Sequence, residues 1–201
     1  MDPWGVLIPQ STIGPQVPER ADAARNRARL LEVAGRIVDR EGPDGLTMDR
    51  LAAESGVGKG TIFRRFGSRA GVFQALVDAN EREFQARFLS GPPPVGPGAP
   101  PLERLVAFGR ARIETVSRQR ALMAAAERPV TERTEVPARK LVELHIATLL
   151  REAEVQADIP ILTFNLLAVL EAVLLLPDDE HLDHAVPRLA AGWEELVRRL
   201  A

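Results

Sequence analysis

The chain has 201 residues, with 26 Lys and Arg against 28 Asp and Glu, 45% apolar residues and neither cysteine nor tyrosine. That length allows one large domain or a small one joined to a medium one, and an apolar share near the globular average excludes disorder throughout. Without cysteine there is no disulfide scaffold, thiol nucleophile, thiolate zinc site or iron–sulfur cluster, and a net charge of −2 leaves any pull on nucleic acid to local charge.

Residues 1–19 contain Pro3, Pro9, Pro15 and Pro18 and read as a flexible tail. They carry no Lys or Arg and no continuous apolar run, so a secretory signal is not expected and the cytoplasm is the expected location. In 20–41, Leu30, Leu31, Ala34, Ile37 and Val38 recur at three- and four-residue spacing, which predicts an amphipathic helix ended by Gly42-Pro43. Thr47 is a cap for a short helix over 48–55, with Asp49 at its positive end. Gly56 breaks that helix, a second short one follows over 59–65, and Ser68 opens a longer one to about 88. Residues 91–101 hold six prolines and three glycines and predict a loop or linker. Further helices are expected at about 102–118, 119–128, 137–156, 159–176 and 187–200. With no strand alternation and no internal repeat, the chain reads as all-α.

Two features of this pattern bear on partners. Residues 20–69 hold 11 Lys and Arg against 7 Asp and Glu, whereas 91–201 hold 13 against 16, a basic N-terminal module on an acidic body. The second feature is 159–176, which is nearly all apolar and about 27 Å long as a helix. Asn165, Glu171, Pro160 and an acidic flank argue against a membrane span, so burial in a core or against a second subunit is expected. Leu166, Leu170 and Leu174, with a second stripe of Leu189, Trp193, Leu196 and Leu200, predict a four-helix interface between two copies, its register set by Asn165 and Glu171.

The stretch that carries function is 47–69, TMDRLAAESGVGKGTIFRRFGSR. A helix-turn-helix needs two short helices crossing closely, a small residue in the first, a glycine at the turn and apolar residues locking the pair. Ala52 and Gly56 supply the small contact and the turn, and Leu51, Val57, Ile62 and Phe66 have the spacing of a shared core. The second helix is then free to present Lys59, Gly60, Thr61, Arg64 and Arg65 outward, with Gly60 allowing close approach of its backbone to DNA. The glycines of 56–61 superficially resemble a phosphate-binding loop. That loop requires Ser or Thr directly after its lysine, and here Gly60 follows Lys59.

The run from Ser55 to Arg69, continued by Ala70 to Val77, resembles the signature of TetR-type transcriptional regulators. The resemblance covers about residues 20–80. It implies an Ω-shaped all-α homodimer with a three-helix DNA-binding domain (20–69) and a larger effector-binding and dimerisation domain (70–201). By the same resemblance Lys59 and Thr61 are recognition-helix contacts, Phe63 stands where a phosphate-contacting tyrosine is usual, and Arg69 where a lysine contacts phosphate. Arg65 replaces a second aromatic, and Gly58 replaces a capping serine. With Thr47, Arg50 and Arg64 these form the expected DNA-facing set. Arg20, Arg25, Arg27 and Arg29 read as a solvated helix face, of which Arg20 is the best placed for DNA.

The resemblance also implies a pocket for an unidentified small-molecule effector. The candidates are Phe84, Phe88, Phe108, Arg112, Met123, His145, Leu149 and Phe164, with Arg112 and His145 as polar groups among apolar neighbours. His181 and His184 read as part of a surface turn, so no metal and no cofactor are expected. The expected function is a ligand-responsive repressor that binds a palindromic operator as a homodimer. The alternative is a helical-bundle carrier or enzyme. Paired carboxylates, a Ser/His/Asp set and a cofactor fingerprint are all missing from the sequence, which weighs against catalysis.

Overall fold

In a computed structural model the described residues are 18–126, 137–176 and 182–201. The expected tail up to residue 17, the end of the 119–128 segment and His181 of the acidic loop lie outside them. The helices are α1 (Pro18–Glu41), α2 (Met48–Ser55), α3 (Lys59–Phe66), α4 (Arg69–Ser90), α5 (Pro101–Ala125), α6 (Pro137–Glu152), α7 (Ile159–Glu171) and α8 (Leu182–Arg198). Short 3-10 turns cover Pro43–Gly45 and Ala172–Leu175. No strand occurs among the described residues.

Side chains at helical spacing collect into two cores. In the first, Leu30, Ala34 and Ile37 of α1 meet Leu51 of α2, Ile62 of α3, and Val72, Phe73 and Leu76 of α4, and Leu122 of α5 closes it. In the second, the last turns of α4 bring Phe84 and Phe88 against Leu105 and Phe108 of α5, Ile146 and Leu149 of α6, Leu166 and Leu170 of α7, and Trp193 and Val197 of α8. Each such side chain, fully buried, contributes about 1.5–3 kcal/mol. One helix, α4, therefore has its start in one core and its end in the other.

Several helices differ from expectation: α1 starts at Pro18, inside the expected tail, α6 ends at Glu152 rather than 156, and three others differ more. The segment 102–128 was expected as two helices, but α5 runs unbroken from Pro101 to Ala125. Residues Ser117 to Arg120 contain no breaker, and Thr115, Val116 and Leu122 keep the buried period across them. Arg120 donates from Nη1 to the Val173 carbonyl at 2.7 Å and also bonds the Leu176 carbonyl, which ties α5 to the exit of α7. Instead of reaching 176, α7 tightens into a 3-10 turn at Ala172, and α8 begins at Leu182 with Pro187 inside it rather than at 187. Pro187 forgoes one backbone bond near the helix start. Among the described residues no helix is long and apolar enough to cross a membrane.

A glycine sets the approach of α5 to α8. Trp193 is fully buried, and its Nε1 donates to the Leu105 carbonyl at 3.1 Å. A Cβ on Gly109 would come within 1.9 Å of the Trp193 ring. Only glycine lets these helices meet there.

Candidate nucleic-acid interface

The helix pair α2–α3 is specified locally. The Thr47 hydroxyl accepts from the Arg50 amide at 3.1 Å and caps α2. Gly56 ends it at φ 69°, a left-handed conformation that favours glycine. Leu51 and Ile62, both 0% exposed, lock α2 and α3 face to face. Ser68 then caps α4, accepting from the Gly71 amide at 3.0 Å.

Burial of Ile62 decides what α3 shows to solvent. Lys59, Gly60, Phe63 and Arg64 are exposed and Thr61 half-buried beside them. A Cβ on Gly60 would meet nothing within 4 Å, so the backbone there is bare. Lys59 Nζ lies 2.6 Å from Asp49 Oδ1, an exposed pair that water already weakens. Arg64 donates from Nη2 to the Thr61 hydroxyl at 3.1 Å. Gly58 heads α3 without a side-chain cap, and its carbonyl accepts from the Thr61 and Ile62 amides at 2.9 and 3.3 Å.

Three arginines of the expected DNA-facing set are engaged inside the protein. Arg50 donates to both Glu41 carboxylate oxygens and to Glu54 Oε1 at 2.9 Å. The Arg50 guanidinium, aided by Arg40, holds the Glu41 carboxyl down at about 2. Arg65 donates from Nη1 to the Ala23 carbonyl at 2.5 Å, fastening α3 to α1. Arg69 donates to the Leu46 and Pro43 carbonyls, each at 2.7 Å, and its guanidinium sits 4.9 Å from the Phe73 ring centroid. These forks fix the loop before α2 and the angle of α3. Sequence reasoning missed Glu41 and Glu54 as the anchors of Arg50, although Arg50 and Glu54 stand at the i, i+4 spacing of a helix pair.

The expected effector residues separate into three groups. Phe84, Phe88, Phe108 and His145 form an aromatic cluster with centroid distances of 4.5–5.5 Å, and Leu149 is 0% exposed in the same core. Phe88, Phe108, His145 and Leu149 fill space rather than line it, while Phe84 also borders a cavity. Burial, and secondarily the Arg104 charge, lower the His145 imidazole to about 4. Phe164, at 62% exposure, faces out on the open side of α7. Arg112 and Met123 line a cavity of about 340 Å³ between α4, α5, α6 and α7, and a second space of about 570 Å³ between α1, α4 and α5 is bordered by Phe84. Glu81, Arg139 and Glu171 line the first as well, and were not expected there.

The expected subunit interface is divided in the same way. Leu166, Leu170 and Trp193 are spent on the protomer's own core, at 1%, 1% and 0% exposure. Glu171 is turned to the cavity, where it accepts from Arg139 Nε at 2.8 Å. Leu174, Leu189 and Leu200 are half-buried, whereas Asn165 and Leu196 are exposed. The open row on α7 is Ile161, Phe164, Asn165 and Ala168, at i, i+3, i+4 and i+7.

The sequence profile of bacterial regulatory proteins of the tetR family matches residues 30–76. An HTH-type transcriptional regulator of Staphylococcus aureus strain USA300 is 41% identical over 69 residues, and one of strain bovine RF122 / ET3-1 is 33% identical over 69 residues. Each match covers 34% of this chain and 37% of the relative, so the similarity spans little more than a third of these curated relatives. Among solved structures, a TetR-family transcriptional regulator from Pectobacterium atrosepticum aligns at TM-score 0.70 and 21% identity, over 90% of this chain and 96% of its own. A TetR/AcrR family regulator from Thermobifida fusca aligns at 0.61 and 22% identity, over 85% and 97%. At such identities the likeness is one of fold, and it extends through both cores.

Proposed function

Because the helix-turn-helix domain of this chain belongs to the tetR family of bacterial regulatory proteins, we propose that the protein is a DNA-binding transcriptional regulator, acting as a ligand-responsive repressor on a pseudo-palindromic operator. The observation that carries this reading is the outer face of α3, where Lys59, Thr61 and Arg64 surround the bare backbone at Gly60. A helix of eight residues is about 12 Å long and enters a major groove end-on. Lys59 exchanges Asp49 for phosphate or a base edge on docking, while Arg50, Arg65 and Arg69 keep α3 at its angle.

A palindromic site requires a twofold partner. The surface available for one is the open row of α7, with Ile161 58% and Phe164 62% exposed, and exposed Leu144 on α6 (59%) and Leu196 on α8 (39%) add apolar side chains to the same domain. Exposed apolar side chains of this kind favour a second copy. The dimer then sets the two α3 helices about 34–36 Å apart in successive grooves. An effector in the cavity acts through α4, which lines the cavity with Gln74, Asp78 and Glu81 and anchors the N-terminal core with Val72 and Phe73. A preference of about 1.4 kcal/mol between two arrangements shifts operator binding tenfold.

Fluorescence anisotropy on duplex DNA from upstream of the protein's own gene tests the reading. Affinity should fall steeply with salt, and Lys59→Ala should weaken binding by about 1–2 kcal/mol and reduce the salt slope by about one. Affinity that ignores both salt and Lys59 would refute the docking.

A further inference from the structure

The cavity beside α4 holds two ion pairs. Arg112 Nη1 and Glu81 Oε2 lie 2.6 Å apart, with side chains only 20% and 16% exposed. The Arg112 guanidinium also lies 5.3 Å from the Phe84 ring centroid, which holds its plane in place. Across the cavity, Arg139 Nε and Glu171 Oε1 are 2.8 Å apart. The remaining charged lining residues share one stretch of α4. The Asp78 carboxylate accepts from the Gln74 amide at 2.7 Å, and Arg82 Nε donates to the Asp78 carbonyl at 3.0 Å. The described lining thus has three carboxylates and three guanidinium groups, and no net charge. Between them the wall is aliphatic, from Val77, Val116, Val142, Leu167 and Leu174.

We infer that this cavity selects an uncharged amphiphile, an apolar body bearing hydroxyl, carbonyl or amide groups, over carboxylates and amines of the same shape. The inference rests on the effector reading above and narrows it. A ligand carboxylate on the spare N–H groups of Arg112 would sit beside the Glu81 carboxylate and give the neutral lining an uncompensated negative charge. An ammonium group on Glu81 would place an uncompensated positive charge beside Arg112 in the same way. A neutral polar group adds no charge. A guanidinium has five N–H groups and a carboxylate about four acceptor sites, so each ion pair retains hydrogen-bonding capacity after its internal bond is made. The two pairs stand on different walls, one joining α4 to α5 and the other α6 to α7. A ligand with polar groups at both ends can therefore bridge the walls while its body lies on the aliphatic side chains.

The test uses four probes with one ten-carbon chain: decanamide, decanol, decanoate and decylamine. Each is titrated calorimetrically into the full-length protein at pH 7, below its micelle concentration. Decanamide and decanol should bind about tenfold or more tighter than decanoate and decylamine. Ala138→Phe, which fills the cavity from α6, should abolish the heat and so place the binding there. Glu81→Gln, which is nearly isosteric and releases Arg112, should raise decanoate affinity about tenfold while leaving decanamide within about threefold. Glu171→Gln should do the same through Arg139, giving a second variant should the first fold poorly. A native preference for either charged probe, or decanoate binding unmoved by both Gln variants, would overturn the selectivity and leave the effector reading standing. Uncharged probes that bind without loosening the operator complex would support the selectivity and remove the effector reading. If no probe binds, both fall.

Discussion

Around the N-terminal core, each change of direction is made by the residue that stands at it: Thr47 caps α2, Gly56 turns out of it, and Ser68 opens α4. Around the C-terminal core, the tightest joint is Trp193 of α8 on Gly109 of α5, sealed by a hydrogen bond to Leu105 across 88 residues of sequence. One module is specified by local chemistry and the other by side chains that meet only after the chain has folded. On the proposed function, the difference fits a division of labour. A DNA-facing surface tolerates little variation in helix angle, so short-range signals are worth most there. A ligand-binding body is free to vary its wall residues as long as its long-range joints hold.

The largest effect that bears on this contrast is expected at the long-range joint. Gly109→Ala forces a methyl group into the Trp193 ring, and overpacking of that kind should cost about 1–3 kcal/mol in urea unfolding followed by circular dichroism. Unchanged stability would mean that the α5–α8 joint yields, and the contrast with it. Acid provides the next test. The native His145 imidazole titrates near 4, below its ordinary value, so the unfolded chain takes up a proton that the folded chain refuses. Stability present above about pH 6.5 is therefore lost as the pH falls toward 4. From pH 7 to pH 5 the native protein should lose about 2 kcal/mol more than His145→Leu does. Equal losses would remove the buried imidazole as the cause. The first core contains no histidine, so this sensitivity belongs to the second alone. The smallest effect separates stability from function in α3. Gly60→Ala should stabilise the free protein by about 0.5–1 kcal/mol, since the added methyl meets nothing, yet weaken operator binding by standing between backbone and DNA. A variant both more stable and equally tight would show that no duplex comes close to Gly60.

The N-terminal motif could be read from spacing because its caps and its glycine turn lie within a few residues of their effect, although the Arg65 and Arg69 bonds that hold it reach 23 to 42 residues away. The C-terminal expectations were right about helicity and less so about which residue faces where. The resemblance offered Phe84, Phe88 and Phe108 as pocket residues, but an inward residue fills a core or lines a cavity depending on what stands opposite. Phe164 shows the converse, since α7 is apolar on nearly every side and its own sequence does not say which side stays open. Leu166 and Leu170 went to the core, Ile161 and Phe164 to the surface. The arginines carry the sharpest lesson. Lys59 and Arg64 could be placed on the outer face of α3 from the position of Ile62 alone, whereas Arg65, one residue further, turns back to α1.

What the amino-acid sequence determined without help is the all-α character, the caps and glycine turns between α1 and α4, and the outward placement of Lys59, Gly60 and Arg64 on α3. Those follow from dihedral preferences and from a 3.6-residue period, both of which act over a turn or two. Only the tertiary structure decided which cations are committed inside the protein and which walls carry the paired charges of the cavity. Arg65 meets Ala23 across 42 residues, Arg112 meets Glu81 across 31, and Arg139 meets Glu171 across 32. A guanidinium takes the nearest well-placed acceptor in space, and at such separations the packing of the helices, not the order of the residues, sets which acceptor that is.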